Sequence, residues 1–74
     1  MITLTSAASH YAGKHSIAGA LGALRLYSDC TVGDLVSLED AGARHDFAII
    51  RRRWIASGAG VKLELTLDHP ARSV

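Results

Sequence analysis

The sequence predicts a small α+β domain: one N-terminal helix packed on a small, curved, three- to four-stranded antiparallel β-meander. Three observations predict it. Val61, Leu63, Leu65 and Leu67 alternate without a break against Lys62, Glu64, Thr66 and Asp68, the pattern of a strand with one apolar and one wet face. Two further apolar runs, over 32–39 and 46–55, precede it and are divided from it and from each other by turn-forming stretches. Upstream of Asp29–Thr31 the period lengthens: Ile17, Leu21, Leu24 and Ser28 fall at i, i+4, i+7 and i+11, which is helical spacing.

The elements follow in chain order. Ile2 and Leu4 alternate with Thr3 and Thr5, which suits a short edge strand, and 6–15 reads as a loop of small and polar residues. Residues 17–27 are expected to be the helix, with Ser16 as its N-cap. Gly19 and Gly22 each weaken it by about 0.5–1 kcal/mol, but small residues let a helix lie close to a sheet. Residues 32–68 form the meander. Asp40-Ala41-Gly42 makes the first turn, with Gly42 supplying a positive φ, and Ser57-Gly58-Ala59-Gly60 the second. Pro70 closes the last strand, since proline donates no ladder bond, and 69–74 is a tail.

Closing the second turn on Ser57 and Gly60 fixes a register. Trp54 faces Leu63, Ile50 faces Leu67, Arg53 faces Glu64 and Arg51 faces Thr66. This register leaves Phe47 and Ile49 on the outer face and Arg52 among apolar neighbours. A bulge or a one-residue slip reverses those assignments. The alternative architecture is a small closed barrel: Val32-Gly33-Asp34-Leu35-Val36, followed by Gly42, resembles the opening strand of Src-homology-3-like and KOW-type barrels.

Length and composition bound what the chain can be. Its 74 residues make one domain, with a core worth about 3–5 kcal/mol. A hydrophobic share of 49% argues for a folded chain, and a net charge of +1 leaves no strong bulk attraction to nucleic acid, so that any such attraction must come from local clustering. The single cysteine, Cys30, excludes an internal disulfide and is expected to be a small, partly buried hydrophobe. The first residues lack a secretory leader pattern and no apolar run approaches a membrane span, so the expectation is a cytoplasmic protein with no membrane partner. Arginine outnumbering lysine, with frequent alanine and glycine, suggests a bacterial genome of high GC content.

Four constellations are candidates for function. Arg51, Arg53 and Lys62 fall on the wet face, and with Trp54 they form a candidate nucleic-acid patch, guanidinium forks for phosphate and an indole for base stacking. The plain alternative is a solvated charged face with Trp54 in the core, so the direction of the Trp54 side chain discriminates between them. His45, Asp46, Asp68 and His69 approach each other at one end of the meander and offer imidazole and carboxylate ligands for a metal, or else serve as strand-end polar residues. His10 and His15 have no helical ligand spacing, and Gly13-Lys14 lacks the rest of a phosphate loop. The apolar surface also exceeds what one thin sheet covers, which implies a barrel, an interface or self-association through a sheet edge. No cofactor fingerprint or catalytic signature is present. The expected function is therefore a small non-enzymatic binding or adaptor module acting through protein contacts, with nucleic-acid binding as the alternative.

Overall fold

The computed structural model describes residues 1–26 and 28–71. The expected helix end at Tyr27 and the tail beyond Ala71 lie outside the described residues. The elements are β1 (Ile2–Leu4), α1 (Ser6–Lys14), α2 (Ala18–Gly22), β2 (Leu35–Asp40), β3 (Ala43–Ser57) and β4 (Gly60–Asp68). The fold is small α+β. Its four strands make one open sheet in the order β1-β4-β3-β2, so it is not a closed barrel. β2, β3 and β4 form the antiparallel meander, while β1 joins it parallel to β4, which makes the sheet mixed.

The helical part departs from expectation. The principal helix is α1, in the stretch expected to be a loop. Thr5 caps it: its side-chain oxygen accepts from the Ala8 N–H at 3.2 Å, satisfying one of the orphan donors of the first turn. Ala8 and Ala12, one helical turn apart, are fully buried, and α1 packs on β1 and β4. Alanine has the best helix propensity and lets the two backbones approach. Ser16 is not an N-cap; it adopts a left-handed conformation (φ 58°) between the helices. Ile17 stands at the N-cap of α2 without a side-chain bond, and α2 stops at Gly22. The stripe read as one helix nevertheless faces inward: Ile17 and Leu21 are buried and Leu24 half-buried.

The meander follows the expected turns. Ala41 and Gly42 both take positive φ (52° and 80°) in the first, as a two-residue hairpin turn requires. The second closes on Ser57 and Gly60, and Trp54–Leu63, Arg53–Glu64 and Arg51–Thr66 pair as the sequence predicts. The expected Ile50–Leu67 pair does not form. The register shifts between Ile49 and Arg51, so that Ile49 pairs with Leu67 and Ile50 is the extra residue of a bulge. The bulge restores Phe47 and Ile49 to the inner face, where both are buried with Leu65 and Leu67 beneath Ala8, Ala12, Ile17 and Leu21. The residues at 32–34, expected to begin the first strand, instead form a turn with Gly33 at φ 101°. Asp34 and Gly33 bond the backbone of Ile49.

β3 is much longer than its neighbour on one side. β2 pairs with it only from Ala43 to Ala48. Beyond Ile49 no strand flanks the outer side of β3 among the described residues, while β1 and Met1 still flank β4 as far as Leu63. This outer part of the β3–β4 hairpin, open on its β3 side, is the arm of a molecule measuring 40 × 27 × 21 Å.

Candidate interaction surface

The arm carries the Arg51-Arg52-Arg53-Trp54 run. Alternation along β3 places Arg51 and Arg53 on the open face of the sheet, with Lys62, which pairs opposite Ile55. Arg52 and Trp54 point to the other face, toward the side carrying the helices. Trp54 is not core: it is 52% exposed, with the Arg52 guanidinium carbon 5.4 Å from its ring centroid. Arg52 also donates to the Ser28 carbonyl at 2.6 Å. The reason is position, since Trp54 lies out along the arm beyond the buried cluster of Phe47, Ile49, Leu65 and Leu67. The sheet therefore divides the predicted patch. Arg51, Arg53 and Lys62 share one face, and Trp54 stands on the other.

The open face is not uniformly wet. Glu64 is 9% exposed, held by Arg53 at 2.7 Å. Arg51 has no ion-pair or hydrogen-bond partner among the described residues. Ile50 (47% exposed) and Val61 (63%) add apolar surface to the arm.

The backbone of the arm is also unused on one side. A two-residue turn closing on Ser57 and Gly60 assigns the β4-facing ladder bonds to Ser57, Ile55, Arg53 and Arg51, because bonded and non-bonded pairs alternate. The bonds of Leu63, Leu65 and Leu67 to the N-terminal segment fit the same alternation. The N–H and C=O groups of Arg52, Trp54 and Ala56 therefore point away from β4, and no strand pairs with them among the described residues. This is an open edge along the outer half of β3. On the opposite side of the arm's base, a cleft of ≈ 640 Å³ opens between β1, β4 and the segment after α2, lined by Ile2, Leu24, Leu26, Leu63 and Leu65 among others.

No protein-family model, no curated protein and no solved structure matches this chain. Any functional statement about it therefore rests on its own residues.

The four residues of the candidate metal site are not assembled by the fold. His45 and Asp46 point to opposite faces because they are adjacent on a strand. His45 lies buried on the inner face, with its Nδ1 2.7 Å from the Tyr11 hydroxyl. Asp46 lies on the open face, where the Ser37 hydroxyl donates to it at 2.6 Å and Arg44 stands 3.2 Å away. The Ser37 hydrogen bond, aided by the Arg44 charge and opposed by slight desolvation, holds the Asp46 carboxyl below the usual carboxylate value. Asp68 accepts from Thr5 at 2.6 Å. Among the described residues no group of three or more His, Cys, Asp and Glu is placed to hold a metal ion.

What gathers instead is a ring cluster around Tyr11. His69 stacks on it at 3.7 Å between centroids and His15 lies at 4.2 Å, while Phe47 and His45 present edges. Tyr11 and His15 are one turn apart at the end of α1, so the pair becomes legible once that segment is read as a helix. Cys30 is half-buried and free, as expected. Among the described residues no helix is long and apolar enough to cross a membrane.

Proposed function

We propose that this chain is a small non-enzymatic binding module that works through protein contacts, adding an extended segment of another protein to the outer edge of β3. One observation carries the reading: along the arm, the backbone groups of Arg52, Trp54 and Ala56 have no strand partner among the described residues, and Trp54 stands exposed beside them. Free edge groups are a template for a further strand, with main-chain bonds giving affinity and alternate side chains giving specificity. The test uses a soluble neutral peptide of eight alternating valine and threonine residues. It is expected to slow amide exchange at Arg52, Trp54 and Ala56. The same peptide N-methylated at alternate residues is expected to leave exchange unchanged. Equal exchange with both peptides rejects the reading.

A second reading is nucleic-acid binding through Arg51, Arg53 and Lys62, favoured by their common face and by the accessible indole. It stands behind the first because a strand of nucleic acid lying on that face meets the cations without Trp54. If it holds, replacing Arg51 and Arg53 by alanine lowers the salt slope of single-strand binding by about 1.4. An unchanged affinity and slope reject it.

A further inference from the structure

We infer that the segment bound at this edge is acidic, with carboxylates two residues apart and an apolar side chain one residue before or after the pair; this rests on the edge-addition reading above. A strand added to β3 sends its side chains alternately to the two faces. On the open face its residues fall opposite Arg51 and Arg53, and on the other face opposite Arg52, Trp54 and Ala56. The charge at the edge is one-sided. Arg51 is unpartnered among the described residues, Arg53 stays 51% exposed while holding Glu64, and Arg52 is turned to the Ser28 carbonyl. Glu64 is the arm's one carboxylate between Ile50 and Leu65, against four cations. A carboxylate opposite Arg51 and another opposite Arg53 complete cross-strand pairs. The residue between them lies opposite Arg52, and the next position lies opposite the half-exposed face of Trp54 and favours a valine, leucine or aromatic side chain.

The same one-sidedness selects against a second copy of this arm. Two arms paired edge to edge bring six arginines together with two glutamates, and like charges on adjacent strands repel. Single-stranded nucleic acid supplies the negative charge but no row of peptide donors and acceptors for the edge.

Trp54 is the chain's single tryptophan, so its emission reports the site directly. The probes are three eight-residue peptides: alternating valine–glutamate, valine–threonine and valine–lysine. At low ionic strength the glutamate peptide is expected to shift Trp54 emission to the blue and to bind about tenfold more tightly than the threonine peptide, the sum of two exposed cross-strand charge pairs. The lysine peptide is expected to bind more weakly than either. The advantage should shrink in high salt. Arg51→Glu, at a side chain with no partner among the described residues, is expected to weaken the glutamate peptide and strengthen the lysine peptide. If all three bind alike and protect the edge amides, the acid preference is wrong while edge addition stands. If none binds at millimolar concentration, edge addition itself falls. If oligothymidylate quenches Trp54 in an Arg51-dependent way while no peptide protects the edge, the ligand is nucleic acid and the inference is overturned.

Discussion

Deleting a residue from the middle of a strand ordinarily reverses every side chain beyond it. Deletion of Ile50 should not. In β3, Arg51 pairs with Thr66 and Ile49 with Leu67, and Ile50 stands between them with no partner of its own. Removing it makes Ile49 and Arg51 neighbours in a regular ladder with both pairs unchanged. Phe47 and Ile49 keep their inner positions, and Ile49 keeps its outward bonds to Gly33 and Asp34. What is lost is one side chain already half-exposed, about 1 kcal/mol of burial, offset in part by the regained ladder. The matched control is deletion of Thr66. It carries Leu67 to the open face, removing about 1.5–3 kcal/mol of burial, and draws Asp68 into the apolar position opposite Ile49. Drawing the Asp68 carboxylate out of its present hydrogen bond with Thr5 and into that apolar position adds a further cost of about 1–3 kcal/mol. That sum reaches the about 3–5 kcal/mol expected of so small a core. Urea unfolding followed by circular dichroism distinguishes the two. The Ile50 deletion should retain a cooperative transition within about 1 kcal/mol of the parent, and the Thr66 deletion should have none. An unfolded Ile50 deletion would refute the bulge and the face assignments built on it.

Other perturbations test other parts of the fold. Tyr11→Phe removes the 2.7 Å bond to the buried His45 and should cost about 1–3 kcal/mol in the same urea experiment. Thr5→Ala removes both the cap of α1 and the bond to Asp68 and should cost about 1–2 kcal/mol. Ala41→Asn places a residue tolerant of left-handed backbone where φ is 52° and should stabilise by about 0.5–1 kcal/mol, raising the melting temperature. Asp46 is held below its ordinary value first by Ser37, so Ser37→Ala should move its titration upward in an NMR pH series. Because the folded value is the depressed one, the associated stability is present above the unfolded value and is lost as pH falls through the folded one.

The meander was legible because its signals are local. Unbroken alternation marked β4, Gly42 and the Ser57–Gly60 stretch marked the turns, and Arg53 opposite Glu64 followed from turn closure alone. The bulge left only an indirect trace, a strand apolar on both faces over 47–50 and charged on both over 51–53. The helices were misplaced for a different reason. The 6–15 segment is rich in alanine, serine and histidine and shows no bulky stripe, because α1 buries its two alanines closely on the sheet and its capping signal sits one residue earlier, at Thr5. β1 was visible as alternation, but its parallel pairing with β4 joins opposite ends of the chain, which no local signal encodes. At the candidate site, the residue types were readable. Their division between two faces was implicit in the alternation, whereas the exposure of Trp54 depended on how far the helices reach.

The bulge also connects stability to the proposed binding role. In an uninterrupted strand, odd-numbered residues 47 to 53 would share one face, and Arg51 and Arg53 would be turned toward the helices with Phe47 and Ile49. The extra residue at Ile50 breaks that phase. Below it the odd positions are apolar and buried; above it they are arginines on the open face. The two halves of β3 can therefore serve different ends. The lower half forms the floor of the core with β2 along its edge, and the upper half extends past β2 with its outer backbone unpaired among the described residues. From Ile50 to Ser57 only Ile55 is even partly buried, so this segment adds little to a core of a few kcal/mol. Unprotected edges of this kind invite unwanted pairing, and charged side chains along the edge are a recognised way of discouraging it. On the proposed reading, the same charges that discourage pairing with like chains would select an acidic segment, so that one row of residues would serve against self-pairing and for a preferred partner at once.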